Sequence, residues 1–194
     1  MPHRGQTPRG EAKAHHKIIF TGPVGAGKTT AIGALSDFPP VQTDEIASDM
    51  TQGRKVHTTV ALDYGAFSLA DGEKIHLYGT PGQERFNFMW DILTQGGLGL
   101  ILLLDNSRAD PFRDLRFFLG AFKDFISRTQ AVIGITHYDD KPTPALDDYR
   151  DELQRLGHAG MPVLVTDPRR TADVAELLRH LLYRLDPDLQ NAHA

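Results

Sequence analysis

Gly22-Pro23-Val24-Gly25-Ala26-Gly27-Lys28-Thr29 is the stretch on which the reading of this 194-residue chain turns. It matches the pattern G-x-x-x-x-G-K-[ST] in full, and its flanks match as well. The strand-like run Lys17-Ile-Ile-Phe-Thr21 enters it, and a helix carrying Ile32 and Leu35 leaves it by way of Thr30. Such a loop turns backbone N–H groups inward around phosphate oxygens, while the helix behind it adds the positive end of its dipole. Lys28 would reach the outer phosphates and the Thr29 hydroxyl would ligate Mg²⁺.

Outward from this loop, short apolar runs alternate with helical periodicity, the pattern of an α/β sheet with helices on both faces. Strands are expected near 17–21, 59–69, 73–78, 98–105, 131–136 and 162–166, six in all. Asp71-Gly72 signals a hairpin, so the second and third strands should be antiparallel within an otherwise parallel sheet. The second strand changes parity between Val60, Leu62, Tyr64 and Phe67, Leu69, which places a bulge at Gly65. Asp110 as N-cap with Pro111 behind it opens a helix whose apolar face runs from Phe112 to Ile126. Leu146, Tyr149, Leu153 and Leu156 mark another, and Val174 to Leu185 a third after Thr171. Residues 1–15 read as a flexible arm, 16–186 as one domain and 187–194 as a tail.

Composition narrows the function classes. Twenty-one Lys and Arg against 25 Asp and Glu leave a formal charge of −4, so no basic excess recommends a nucleic-acid partner. The absence of cysteine removes disulfides, thiolate metal sites, cysteine nucleophiles and thiol lipidation together. The apolar run Leu98 to Leu104 is far short of the ~20 residues that span a bilayer. A cytoplasmic protein without an intrinsic membrane anchor is the expectation, reaching a membrane only through partners.

Two further segments bear on the phosphates. Thr58 and Thr59 close a polar, loop-like stretch after Pro39-Pro40, and the Thr59 hydroxyl is a candidate second Mg²⁺ ligand, with a β-branched strand starter as the alternative. The third strand ends in Tyr78-Gly79-Thr80-Pro81-Gly82-Gln83-Glu84-Arg85-Phe86, which resembles the DxxGQE switch II segment of Ras-like small GTPases. Thr-Pro-Gly-Gln-Glu-Arg-Phe resembles more closely the bacterial branch of conservon-type and gliding-motility polarity GTPases. The resemblance covers residues 16–186 and implies a Ras-like P-loop NTPase that binds GTP or GDP with Mg²⁺. It implies that the Gly82 N–H donates to the γ-phosphate and that Gln83 orients the attacking water. It also implies a roadblock-fold regulator and an effector as partners.

Departures from the family pattern are equally specific. Gly79 stands where the family has the Asp that holds a metal water, and Asp105 is either its substitute or a strand-end residue, the second being preferred. Val24 replaces a frequent glycine and crowds the loop, so unaided turnover should be slow. Arg54 is a candidate arginine supplied in cis, against a solvated loop arginine. Thr136-His137-Tyr138-Asp139 resembles [NT]-K-x-D, in which Asp139 would accept from guanine, with an imidazole in place of the lysine stem. Asp167-Pro168-Arg169 corresponds to Ser-Ala-Lys, and Pro168 lacks the N–H that would meet guanine O6, leaving Arg169 or the amide before Pro168 as substitutes.

Three functions fit these residues: a GTP-hydrolysing switch, a nucleotide-bound scaffold with little hydrolysis, and an ATP-using P-loop enzyme with Asp105 as its acid. Gln83 and Asp139 favour the first. Phe86, Phe88, Met89 and Trp90 would give it a partner surface, unless Phe88 and Trp90 pack on the core.

Overall fold

The structure, a computed structural model, describes residues 16–47, 58–69, 72–83, 85, 89–139 and 143–188, with only the backbone course for 42–47 and 58–61. The arm at 1–15, Arg54, Asp71, Glu84, Phe86, Phe88 and residues 189–194 lie outside the described residues.

Val41–Ala47 is a strand that the sequence reading left in a loop, and it brings the sheet to seven strands. In chain order these are β1 (His16–Thr21), β2 (Val41–Ala47), β3 (Thr58–Ser68), β4 (Lys74–Gly79), β5 (Gly99–Asp105), β6 (Gln130–Thr136) and β7 (Val163–Val165), arranged β2-β3-β4-β1-β5-β6-β7. β3 runs antiparallel to both neighbours, and every other adjacent pair is parallel. The hairpin between β3 and β4 is therefore where Asp71-Gly72 put it, closed by Leu69 N–H donating to Glu73 O at 2.7 Å. β2 was illegible because it follows Pro39-Pro40 and carries Gln, Thr, Asp and Glu, the composition of a charged edge strand rather than of a buried one.

No bulge interrupts β3. Its register with β4 is unbroken from Asp63↔Gly79 to Ser68↔Lys74. The parity change at Gly65 has a different origin: β3 buries residues toward both faces of the sheet. Leu62 joins Met89 and Leu93 on one side, while Phe67 packs with Ile32 and Leu77 on the other. A Cβ at Gly65 would lie 2.7 Å from the Ile32 methyl, so the glycine admits α1 (Lys28–Leu35) against the sheet.

Helices cover both faces. On one, α1 and α6 (Thr171–Leu185) bury Ile32, Val174, Leu177 and Leu181 on Phe20, Ile101 and Leu103. On the other, α3 (Pro111–Ala121), α4 (Lys123–Ile126) and α5 (Leu146–Arg155) bury Leu115, Phe118, Phe125 and Tyr149 on Leu100, Leu102 and Leu104. α2 (Trp90–Thr94) lies between β4 and β5 in sequence. Residues 100–104 have no exposed surface, which is why β5 reads as a continuous apolar run instead of an alternating one. Asp110 caps α3 as expected, accepting from the Arg113 N–H at 2.9 Å, with Pro111 at the first turn. The single helix expected from Phe112 to Ile126 is broken at Phe122, which ends α3 and starts α4.

The parallel strands deliver their loops to one end of the sheet: 22–27 after β1, 80–83 after β4, 106–110 after β5, 137–139 after β6 and 166–170 after β7. Ligands in open α/β sheets bind at these carboxyl ends. Antiparallel β3 brings its first half, Thr58 to Asp63, to the same end.

Candidate nucleotide site

The loop after β1 turns on glycines with left-handed backbones, Gly22, Gly25 and Gly27 at φ 138°, 87° and 91°. A Cβ on Gly22 would fall 2.0 Å from the Leu103 carbonyl oxygen, so the loop is wedged against β5. Lys28, at the start of α1, is only 8% exposed. Its ammonium donates to Gly22 O at 2.8 Å and Pro23 O at 2.7 Å. Two of its three protons are thus committed to shaping the loop, and the third is what a phosphate oxygen can accept. Burial pushes the lysine down to about 8, opposed by the charge of Asp63.

Asp63 is the residue the sequence reading missed. It stands on β3 directly opposite Gly79 on β4, and its Oδ2 accepts from the Thr29 hydroxyl at 2.5 Å. A Cβ on Gly79 would lie 2.9 Å from the Asp63 Cβ. A carboxylate from the neighbouring strand thus stands beside the position of Gly79, and the glycine leaves the room for it. Nothing local in Leu62-Asp63-Tyr64 marks it; only the pairing of two strands does.

Asp105 does not fill that role. Its Oδ1 accepts from the Ser107 N–H at 2.9 Å and the Ser107 hydroxyl at 2.6 Å, and lies 3.2 Å from His137 Nδ1. It closes a turn at the end of β5. Thr58 and Thr59 start β3, as in the strand-starter alternative, and pair with Ala47 and Ile46 in the β2–β3 ladder. The Thr59 side chain and Arg54 are outside what the structure describes.

The segment after β4 is pinned to β1 by the Thr80 N–H on Phe20 O at 2.8 Å and by the buried Thr21–Thr80 hydroxyl pair at 2.8 Å. Gly82 then lies on the phosphate loop itself: a Cβ there would be 2.6 Å from Val24 N and 2.8 Å from Lys28 Nζ. Gln83 beside it is exposed, as is Val24 across from it. Met89 and Trp90 are not a partner surface. Met89 packs with Leu62 and Leu93, and Trp90, 3% exposed, is stacked on Phe122 at 4.9 Å between ring centres and flanked by Phe117 and Phe118.

Beside the loop is a cavity of about 460 Å³, lined by Gly25, Gly27, Thr30, His137, Tyr138 and residues 165–170 with Asp173. Pro168 joins it to the phosphate loop, since a Cβ on Gly27 would meet its ring at 2.7 Å. The donors expected to replace the missing Pro168 N–H are engaged elsewhere. Asp167 N–H donates to Asp173 Oδ2 at 3.0 Å, and Arg169 binds the Asp167 carboxylate through its N–H, Nε and Nη2 at 3.0, 2.9 and 2.8 Å. Those bonds hold the Asp167 carboxyl down at about 2. Thr136 is buried and donates to Leu104 O at 3.2 Å, tying β6 to β5. Asp139 is exposed and outside the cavity lining.

The residues fit a Mg²⁺-nucleotide. The donor set of Thr29 and Asp63 is all oxygen, as a hard cation that keeps several waters requires. Among the described residues no cluster of three or more His, Asp or Glu is placed to cage a metal, and a cation shared with phosphates needs none.

A family model described as "Conserved hypothetical ATP binding protein" matches residues 39–139. An uncharacterized protein of Methanocaldococcus jannaschii is 35% identical over 92 residues, 47% of this chain and 52% of the relative. The Ras-related protein Rab-18-B of Danio rerio is 29% identical over 118 residues, 60% of this chain and 52% of the relative. Rab-27B of Rattus norvegicus is 28% identical over 102 residues, 52% of this chain and 46% of the relative. The chain thus spans about half the length of these relatives. Fold, loop and relatives agree on a nucleotide-binding P-loop NTPase.

Proposed function

The chain belongs to the family of conserved hypothetical ATP-binding proteins, and within it we propose a guanine-nucleotide switch that hydrolyses GTP slowly to GDP and phosphate. The observation that carries the reading is the convergence on Lys28 and Thr29 of three separate elements: the phosphate loop and Gly82 from the segment after β4 at Lys28, and Asp63 from β3 at the Thr29 hydroxyl. That arrangement lets one small group, the γ-phosphate, act on two elements distant in sequence at once, which is how such switches signal.

In this reading Lys28 and the loop N–H groups hold the phosphates, and Thr29 with Asp63 holds Mg²⁺, which spreads the charge of the transferring phosphoryl group when bound. Gly82 offers its N–H to the γ-phosphate and Gln83 positions the attacking water. Asp139 would swing to the cavity to accept from the guanine N–H groups. The motif Thr80 to Phe86 supports placement in the conservon-type and gliding-polarity branch, and with it a roadblock-fold regulator and an effector as partners of a cytoplasmic protein. Among the described residues no helix is long and apolar enough to cross a membrane.

ATP is the second reading. It is favoured by the family's description and by the absence of a backbone donor for guanine O6 at Pro168. Equilibrium competition between GDP and ADP separates the two. GDP should bind at least about tenfold tighter, and Asp139→Asn should weaken GDP while improving xanthosine diphosphate, which presents an acceptor where guanine presents a donor. Equal affinity for GDP and ADP in the wild type would overturn the guanine reading.

A further inference from the structure

Tyr149 on α5 has no exposed surface, yet it carries a hydroxyl. Its ring meets Phe112 edge-on at 5.1 Å between centres and joins the core built on β5 and β6. A phenylalanine would fill that space as well; the oxygen is extra. Burying a hydroxyl costs free energy unless it finds a partner. The partner is Asn106 Oδ1 at 2.7 Å, on a side chain that is itself buried. Burial pushes the tyrosine well above its usual range, so the hydroxyl keeps its proton to donate at physiological pH.

Asn106, the first residue after β5, is a junction for the loops at the nucleotide end of the sheet. Its side chain is held by α5, and its backbone N–H donates to Thr136 O at the end of β6, at 3.0 Å. The residue before it, Asp105, takes both Ser107 donors and stands 3.2 Å from His137. The loop after β6 has its own bond to α5, because the Leu146 N–H donates to the Tyr138 hydroxyl at 3.0 Å. Leu146 and Tyr149 are three positions apart and therefore neighbours on one helix face. That face grips both loops. α5 is fixed in turn to α3, since Glu152, three positions further on, accepts from Arg116 at 2.8 Å. His137 and Tyr138 belong to the wall of the 460 Å³ cavity, and Tyr149 stands behind that wall.

We infer that Tyr149 is a positioning residue for the nucleoside half of the nucleotide: by holding Asn106 it keeps the loops after β5 and β6 in the shape of the cavity wall. This rests on the cavity being where the nucleoside binds, whichever base that is. A wall held in place before binding loses less freedom on binding, and affinity rises by that saving. The phosphates lie outside this influence, because they are met by the loop after β1 and by Lys28, which the carbonyls of Gly22 and Pro23 hold. A hydroxyl that served the core alone would change stability and leave ligand affinities as they are.

Dissociation constants for Mg²⁺-GDP, Mg²⁺-ADP and Mg²⁺-pyrophosphate, with urea unfolding in parallel, are measured for the wild type, Tyr149→Phe, Asn106→Ala and the double variant. Tyr149→Phe removes one oxygen and keeps the ring against Phe112. It should weaken GDP about three- to tenfold, the equivalent of one hydrogen bond, and change pyrophosphate by less than about twofold. Most of the loss should appear as faster release of GDP. Asn106→Ala should weaken GDP by a similar factor, and the double variant by no more than the more affected single one, since all three remove the same bond. Wild-type affinity for GDP in Tyr149→Phe, whatever its stability, overturns the positioning role. Equal losses for GDP and pyrophosphate overturn it too, as do losses that add in the double variant. Should Tyr149→Phe fail to fold, Asn106→Ala, which leaves the ring packing of α5 untouched, is held to the same ratio of GDP to pyrophosphate. A wild type that binds GDP no better than pyrophosphate removes the nucleoside cavity and the positioning role with it. If ADP binds as tightly as GDP and both lose the same factor in Tyr149→Phe, the guanine reading falls and the positioning role is upheld.

Discussion

At Lys28, burial and charge pull in opposite directions. The ammonium is needed for phosphates, yet desolvation holds it at about 8, well below the usual 10.5 of a lysine. The unfolded chain therefore binds more protons than the empty folded protein across that window, and stability rises with pH through it. The gain is fully present above about 10.5, is lost as pH falls through about 8, and amounts to about 3 kcal/mol. Urea unfolding of the empty protein between pH 7.5 and 10.5 should show this rise, and Lys28→Met should flatten it. Nucleotide affinity should move the other way, weakening above about pH 8 as the ammonium is lost. Asp63 gives a second test at this scale. Gly79→Asp should crowd two carboxylates into the space now held by one and weaken Mg²⁺-nucleotide binding by tenfold or more, on the order of 1.4 kcal/mol. Asp63→Gly should do the same by removing the acid. The double variant, which moves the carboxylate to β4, should recover most of the affinity, a non-additivity expected of side chains that share one site. Additive losses in Mg²⁺-GDP titrations would show that the two positions are independent. Asp63 was invisible in the sequence because it sits mid-strand, sixteen positions before its partner glycine.

Elements were legible in proportion to how local their signals are. β5 announces itself by an apolar run, and α3 by Asp110-Pro111 and a period that continues to Phe122. The phosphate loop is legible because its spacing is dictated by backbone geometry. β2 was hidden, since its polar residues pair with the start of β3 and carry no apolar alternation, whereas β3 itself begins within one residue of its expected start. The same limit explains Trp90, which was read as a candidate partner contact. It is the anchor of α2 on α3, and its Nε1 is buried without an acceptor among the described residues. Trp90→Ala should therefore cost about 3 to 5 kcal/mol by opening a cavity among Phe117, Phe118 and Phe122. Trp90→Phe should cost less than about 1.5 kcal/mol, because it keeps an aromatic ring and removes a donor that has no acceptor among the described residues. Chemical unfolding followed by circular dichroism checks both values, and equal losses would argue against the anchoring role.

For the whole molecule, the sheet gathers five loops and the first half of β3 at one end, and the site draws on nearly all of them. Phosphoryl transfer asks the protein mainly to position groups and stabilise charge. That suits an assembly in which Lys28, Thr29 and Asp63 are fixed by packed elements and Gln83 rides on an exposed segment. The measurement that bears most directly on the switch is single-turnover hydrolysis of Mg²⁺-GTP by the wild type and Gln83→Leu, with nucleotide occupancy measured in parallel. The wild type should turn over at about 10⁻⁴ to 10⁻³ s⁻¹, the slow rate of an unaided Ras-like site. Gln83→Leu should be slower by tenfold or more while retaining its affinity, the signature of an interaction made mainly in the transition state. A Gln83→Leu protein that binds GTP normally and hydrolyses it at the wild-type rate would contradict the account.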